Sequence, residues 1–98
     1  PIRDADFRLI LLSAMRYAMG RNTYMPAVVS GYIKRHIRFL DGKFLVLAAD
    51  DIQRHLEDYG EYEPNSTLWQ ALLDALETEQ RARATYQAGK IMSGPICR

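Results

Sequence analysis

Asp51, His55 and Asp58 are the residues of this chain whose spacing best fits chemistry. They stand four and three apart, so a helix through them puts all three on one face, where carboxylate and imidazole could hold a divalent cation. The same spacing also describes an acidic helix face that carries a histidine. That is the stronger reading, because no two His or Cys residues stand at finger or HExxH spacing. Neither a metal nor a cofactor is expected. Ser13, Ser30, Ser66 and Ser93 lack the strand–turn–helix elbow that exposes a nucleophile. Gly20, Gly31, Gly42 and Gly60 are isolated and make no phosphate-cradling loop. Paired carboxylates abound (Asp50–Asp51, Glu57–Asp58, Glu61 with Glu63), but a catalytic acid needs a perturbed environment, and solvated acids are the default. Cys97 is a lone thiol with no partner for a disulfide within the chain. The chain reads as a non-enzyme with no catalytic residue.

Charge and tyrosines are what remain for function. Arg21, Tyr24, Lys34, Arg35 and Arg38 form a basic set along and just before the second helical segment, near Arg16, Tyr17 and Tyr32. Cations there could meet phosphates while tyrosines stack on bases. Against that, Tyr17 and Tyr32 fall near apolar stripes, and a pI near 8.4 is modest for a DNA binder. His36 lies beside the apolar stripe of its helix and reads as a packing residue. A second, acidic set, Glu57, Asp58, Glu61, Tyr62 and Glu63, surrounds Tyr59. Carboxylates flanking exposed aromatics can dock on a basic groove of another protein, imitating a phosphate backbone while tyrosine supplies contact area. The plainer reading is a helix end followed by a solvated loop.

These sets follow a division of charge along the chain. Residues 1–43 carry eight Lys or Arg and three Asp, residues 44–79 one Arg and nine carboxylates, and residues 80–98 four Lys or Arg and no acid. The net charge of +1 conceals a basic–acidic–basic order. The blocks either pair within the fold or present two charged faces to partners.

The elements that must position these residues are helical. Phe7, Ile10, Leu11, Ala14 and Ala18 recur at helical spacing, widened by Leu12, Met15 and Met19, and predict a central first helix over about 4–19 that stops at Gly20. Thr23 is a credible N-cap and Pro26 fits the first turn of a second helix over 24–40, with Val29, Tyr32, Ile33, His36, Ile37 and Leu40 inward. Asp41-Gly42 breaks it. Phe44 to Leu47 could be a short strand, but Leu45, Ala48, Ala49, Ile52, Leu56 and Tyr59 keep one helical face, predicting a third helix over 44–59. Asn65 or Ser66 starts a fourth over 66–87, anchored by Leu68, Trp69, Leu72, Leu73 and Leu76 and thin in anchors after that. The expected fold is all-α, a compact four-helix domain over residues 1–90, with 91–98 a flexible C-terminal tail marked by Ser93-Gly94-Pro95.

At 98 residues and 48% hydrophobic content the chain suits one globular domain. No apolar run nears the roughly 20 residues that span a bilayer. The opening Pro1-Ile2-Arg3-Asp4 does not resemble a signal peptide, and a leading Pro fits removal of an initiator Met, so a cytoplasmic protein is expected.

The run Arg16-Tyr17-Ala18-Met19-Gly20-Arg21-Asn22-Thr23-Tyr24 resembles that of small phage and mobile-element proteins, whose usual form is Arg-Tyr-Ala-Leu-Gly-Arg-Arg-Thr-Tyr. Tyr32-Ile33, Asp58-Tyr59-Gly60 and the Trp69 helix continue the resemblance, which spans roughly residues 7 to 76. Met19 and Asn22 depart from the pattern, and Asn22 removes a positive charge. The resemblance carries no catalytic or binding residue with it. It implies a setting, the cytoplasm of an infected host, in which small proteins without chemistry act by binding host machinery. The leading expectation is an anti-CRISPR-like inhibitor that binds a CRISPR-Cas effector through charged surfaces. The alternative is a small nucleic-acid-binding or regulatory protein using the basic face of helix two. Neither reading requires a membrane, and both are compatible with a homodimer. The run itself also has a structural explanation: Gly20 ends one helix, Thr23 caps the next, and Arg16 or Arg21 could reach Asp58.

Overall fold

Gly20 adopts φ +79°, the left-handed conformation that ends a helix at no steric cost only when the residue has no Cβ. It sets the first of three reversals. The computed structural model describes residues 4–96, with side chains through residue 89. Helix α1 is Asp4–Ala18, α2 Met25–His36, α3 Gly42–Tyr59 and α4 Ser66–Ile96, with 3-10 turns at Ile37–Phe39 and Gly60–Tyr62. The all-α, four-helix architecture is the one the periodicity predicts, and no strand occurs among the described residues. Phe44 to Leu47 is helical. Asp41, read as a break, also caps α3: its carboxylate accepts the Phe44 N–H at 2.7 Å and pairs with Arg8 at 2.5 Å.

The helices alternate in direction. Helix α1 packs against α2 and α3, and α4 against the same two, so the order around the bundle is α1, α2, α4, α3. The core is Leu11, Leu12, Met15, Ala18, Val29, Ile33, Leu40, Phe44, Leu45, Ala48, Ala49, Ile52, Trp69, Leu72, Leu73 and Leu76. His36 is half-buried and stacks on Tyr32 with ring centroids 4.2 Å apart, the packing role its position predicted. Two expectations change. Helix α1 is not central: the most extensive helix pairing is α3 with α4. Ile10 and Tyr59, expected inward, are exposed.

Helix α4 runs through Ile96, about 46 Å at 1.5 Å per residue, which accounts for most of the 56 Å long dimension. Residues 91–96, within the 91–98 segment expected to be a flexible tail, lie in this helix, while Cys97 and Arg98 lie outside the described residues. Once a helix is nucleated on a bundle, each added residue gains a hydrogen bond for little further ordering, and Ala82, Ala84, Gln87 and Ala88 are mostly good formers. Arg83 supplies an anchor the apolar pattern cannot show. Its guanidinium pairs with Glu79 at 2.9 Å and donates to the carbonyls of Ile37 and Arg38 at 3.1 and 3.4 Å, closing the last turn after α2 against α4. Replacing it in Arg83→Met is expected to cost roughly 1 kcal/mol, since the site is partly exposed. Urea titration followed by circular dichroism measures it, and a wild-type midpoint would show that the bridge contributes nothing.

Candidate functional site

The alternating helices sort the charged side chains toward two ends. One end gathers the C-terminus of α1, the start of α2, the end of α3 and the loop into α4. The other gathers the start of α1, the end of α2 with its 3-10 turn, the start of α3 and the middle of α4. Arg8–Asp41 and the Arg83 contacts tie the second end together, and Gly20, His55 and Glu63 tie the first.

Glu63 organises the first end, and it departs most from the sequence reading. Its sequence neighbours group it with the exposed acids, but its side chain is 0% exposed. Oε1 accepts the Gly20 N–H at 2.8 Å and contacts His55 Nε2, and Oε2 accepts the Asn65 N–H at 2.8 Å. Facing a carboxylate, His55 Nε2 must carry a proton, which fixes the imidazole's donor side. Burial alone would raise the Glu63 carboxyl. The His55 hydrogen bond, the Asn65 and Gly20 amides and the charge on His55 when protonated together hold it below the usual carboxylate range. Asn65 Nδ2 also donates to the Arg21 carbonyl at 3.3 Å. Glu63 thus joins α1, α3 and the loop into α4, and it is unavailable to a partner. The reason is local: Gly20 needs an acceptor for the N–H freed where α1 ends, and Glu63 is the carboxylate that reaches it.

Other sequence-defined residues divide in the same way. Arg16 pairs with Asp51 at 2.5 Å, and Arg54 bridges Asp50 and Asp51 at 2.8 and 3.1 Å. Arg21 lies over the Tyr17 ring, 3.8 Å from its centroid, and donates to the Tyr17 carbonyl at 2.6 Å. The sequence allows Arg16 or Arg21 to reach Asp58, but Arg16 is joined to Asp51 and Arg21 to Tyr17 instead. Thr23 Oγ1 accepts the Met25 N–H at 3.2 Å, while Tyr24 is the residue at the N-cap itself. Most positions of the Arg16–Tyr24 run thereby hold the fold. Asp51, His55 and Asp58 do not form one site: Asp51 is taken by arginines and His55 by Glu63. Among the described residues no three His, Cys, Asp or Glu side chains are placed to share a metal ion.

Two exposed sets are left. At the first end Glu57, Asp58, Glu61, Tyr59 and Tyr62 are exposed, Tyr62 at 83%. At the second end Lys34, Arg35 and Arg38 are exposed, and no ion pair holds them among the described residues. Arg21 and Tyr24 belong to the first end, so the basic set predicted from sequence is split across the molecule. Sequence reasoning missed two exposed aromatics at the second end, Phe39 and Tyr86. A search of family models, curated proteins and solved structures finds no match. No described helix is long and apolar enough to cross a membrane.

Proposed function

We propose that this protein is a non-catalytic inhibitor of the anti-CRISPR type, made by a phage or mobile element and acting in the host cytoplasm by docking on a CRISPR-Cas effector. One observation carries the reading. After the internal pairs are formed, Glu57, Asp58 and Glu61 still face solvent around Tyr59 and Tyr62 at one end of a bundle whose other end is basic. Gln53 contacts Glu57 at 3.3 Å, but no cation neutralises these three acids among the described residues. Such a patch complements the groove with which an effector holds nucleic acid. The carboxylates meet its arginines and lysines, speeding encounter, and the tyrosines fill the dry centre of the contact. The phage-like run at Arg16–Tyr24 supplies the setting.

The test is a phage-plating assay in cells whose CRISPR-Cas system targets the phage, run for each major effector class, with pull-down of the purified effector. Expression of the protein is expected to restore plaques against at least one class. Tyr62→Ala should weaken effector binding by tenfold or more, as for a central aromatic anchor. The triple change Glu57→Lys, Asp58→Lys, Glu61→Lys should abolish binding while thermal melting stays near wild type. Undiminished interference and no capture in any class would overturn the proposal.

A further inference from the structure

Phe39 is 86% exposed, although Leu40 beside it is buried in the core. Burying Phe39 would stabilise the fold, and its position in the 3-10 turn holds it in water instead. Tyr86, 68% exposed, stands on α4 at the same end of the bundle. Arg38 neighbours Phe39 in the chain and lines one shallow groove with Glu79, Ala82, Arg83, Tyr86 and Gln87, in which Glu79 is paired with Arg83. The Arg83 hydrogen bonds to Ile37 and Arg38 fix the turn that carries Phe39 against α4, which carries Tyr86.

The cations of this end fall into two groups. Arg8 and Arg83 are each bound to a carboxylate. Lys34, Arg35, Arg38 and Lys43 are exposed, and among the described residues none is in an ion pair. Mobile cations interleaved with solvent-facing aromatic rings are the two components of a non-specific single-strand surface, in which phosphates meet cations and bases stack on rings. A duplex keeps its base faces stacked and offers the rings nothing.

We propose that this end binds single-stranded nucleic acid, with bases stacking on Phe39 and Tyr86 and phosphates held by Arg38 and its neighbouring cations. The proposal extends the nucleic-acid reading of the helix-two cations and is independent of the inhibitor reading, which rests on the opposite end. The experiment is fluorescence anisotropy of the full chain with labelled 12-nucleotide poly-dT and poly-U and a 12-base-pair duplex, titrated at several salt concentrations. Saturable binding to single strands is expected, tighter than to the duplex, with a log–log salt slope of about −2 to −3 for three or four phosphates neutralised. Phe39→Ala and Tyr86→Ala should each weaken it roughly fivefold or more. Arg38→Gln should flatten the slope by about 0.7. Tyr62→Ala at the acidic end should leave it unchanged, so either proposal can fail alone. All four substituted residues are exposed, and matching thermal melts confirm that the variants fold. No saturable binding at 20 mM salt (roughly the low end where such contacts are strongest), equal affinity for the duplex, or wild-type affinity in both aromatic variants would overturn the assignment. The first of these outcomes would leave the aromatics to a protein partner.

Discussion

Glu63→Ala is expected to destabilise the domain by about 3 kcal/mol, a large share of the 5–15 kcal/mol typical of natural domains. The change removes an acceptor from two backbone N–H groups, at Gly20 and Asn65, and from His55, in a place where the carboxylate is fully enclosed. Water entering the space would recover part of the loss. Glu63→Gln keeps the shape but not the pattern: whichever way the amide turns, its NH₂ faces a backbone N–H. About 2 kcal/mol is expected for it. Chemical denaturation gives both values, and a Gln variant as stable as wild type would show that the carboxylate's charge and second acceptor do not matter. The same residue sets an acid limit. Its folded pKa lies below the unfolded one, so its stabilisation is complete above the ordinary glutamate value of about 4.3 and fades as pH falls through the lower folded value. The difference in stability between wild type and Glu63→Gln should therefore shrink below about pH 4. A difference constant from pH 7 to 3 would count against this account.

That a glutamate holds the bundle together was not legible in the sequence. Glu63 stands in a polar loop among acids, and hydropathy assigns all of them to solvent. The signals that point to it are a demand elsewhere, the free N–H of Gly20 43 residues earlier, and Pro64 with Asn65 after it, which turn the loop inward. Sequence pattern works where apolar residues repeat with one period. Helices α3 and α4 follow their stripes, and the doubtful Phe44 to Leu47 resolves as helix because the stripe continues beyond it. The pattern fails where apolar residues run together. Leu9 to Leu12 surround α1, so periodicity alone cannot choose its inner face, and Leu9 and Ile10 are exposed while Leu11 and Leu12 are buried. The candidate surfaces show the same split. The acids at Glu57, Asp58 and Glu61 could be read directly because consecutive residues share a place. The second end could not, since Phe39 and Tyr86 are far apart in sequence, and only the Arg83 contacts bring the elements that carry them together.

Trp69→Ala is expected to cost about 3–5 kcal/mol, the range for removing a large aromatic from a core, and to leave a marginal fold. Trp69 is 0% exposed and is the largest side chain wholly buried, in a domain whose core is thin for its surface. One feature makes a second variant informative: the indole Nε1–H is buried with no hydrogen-bond partner in the described structure. A buried donor without a partner costs about 1–3 kcal/mol, so the ring's packing contribution is partly offset by its own polar atom. Trp69→Phe removes that donor while keeping most of the ring. It should lose less than half of what the alanine variant loses, even though a small cavity remains. Thermal melts by circular dichroism compare the three proteins, at roughly 4–8 °C per kcal/mol for a domain of this size. As the chain's single tryptophan, Trp69 also reports on the wild type directly, its emission shifting to the red as unfolding exposes it to water. Equal losses for the phenylalanine and alanine variants would mean that the indole nitrogen is satisfied in solution, with a water reaching the core beside it.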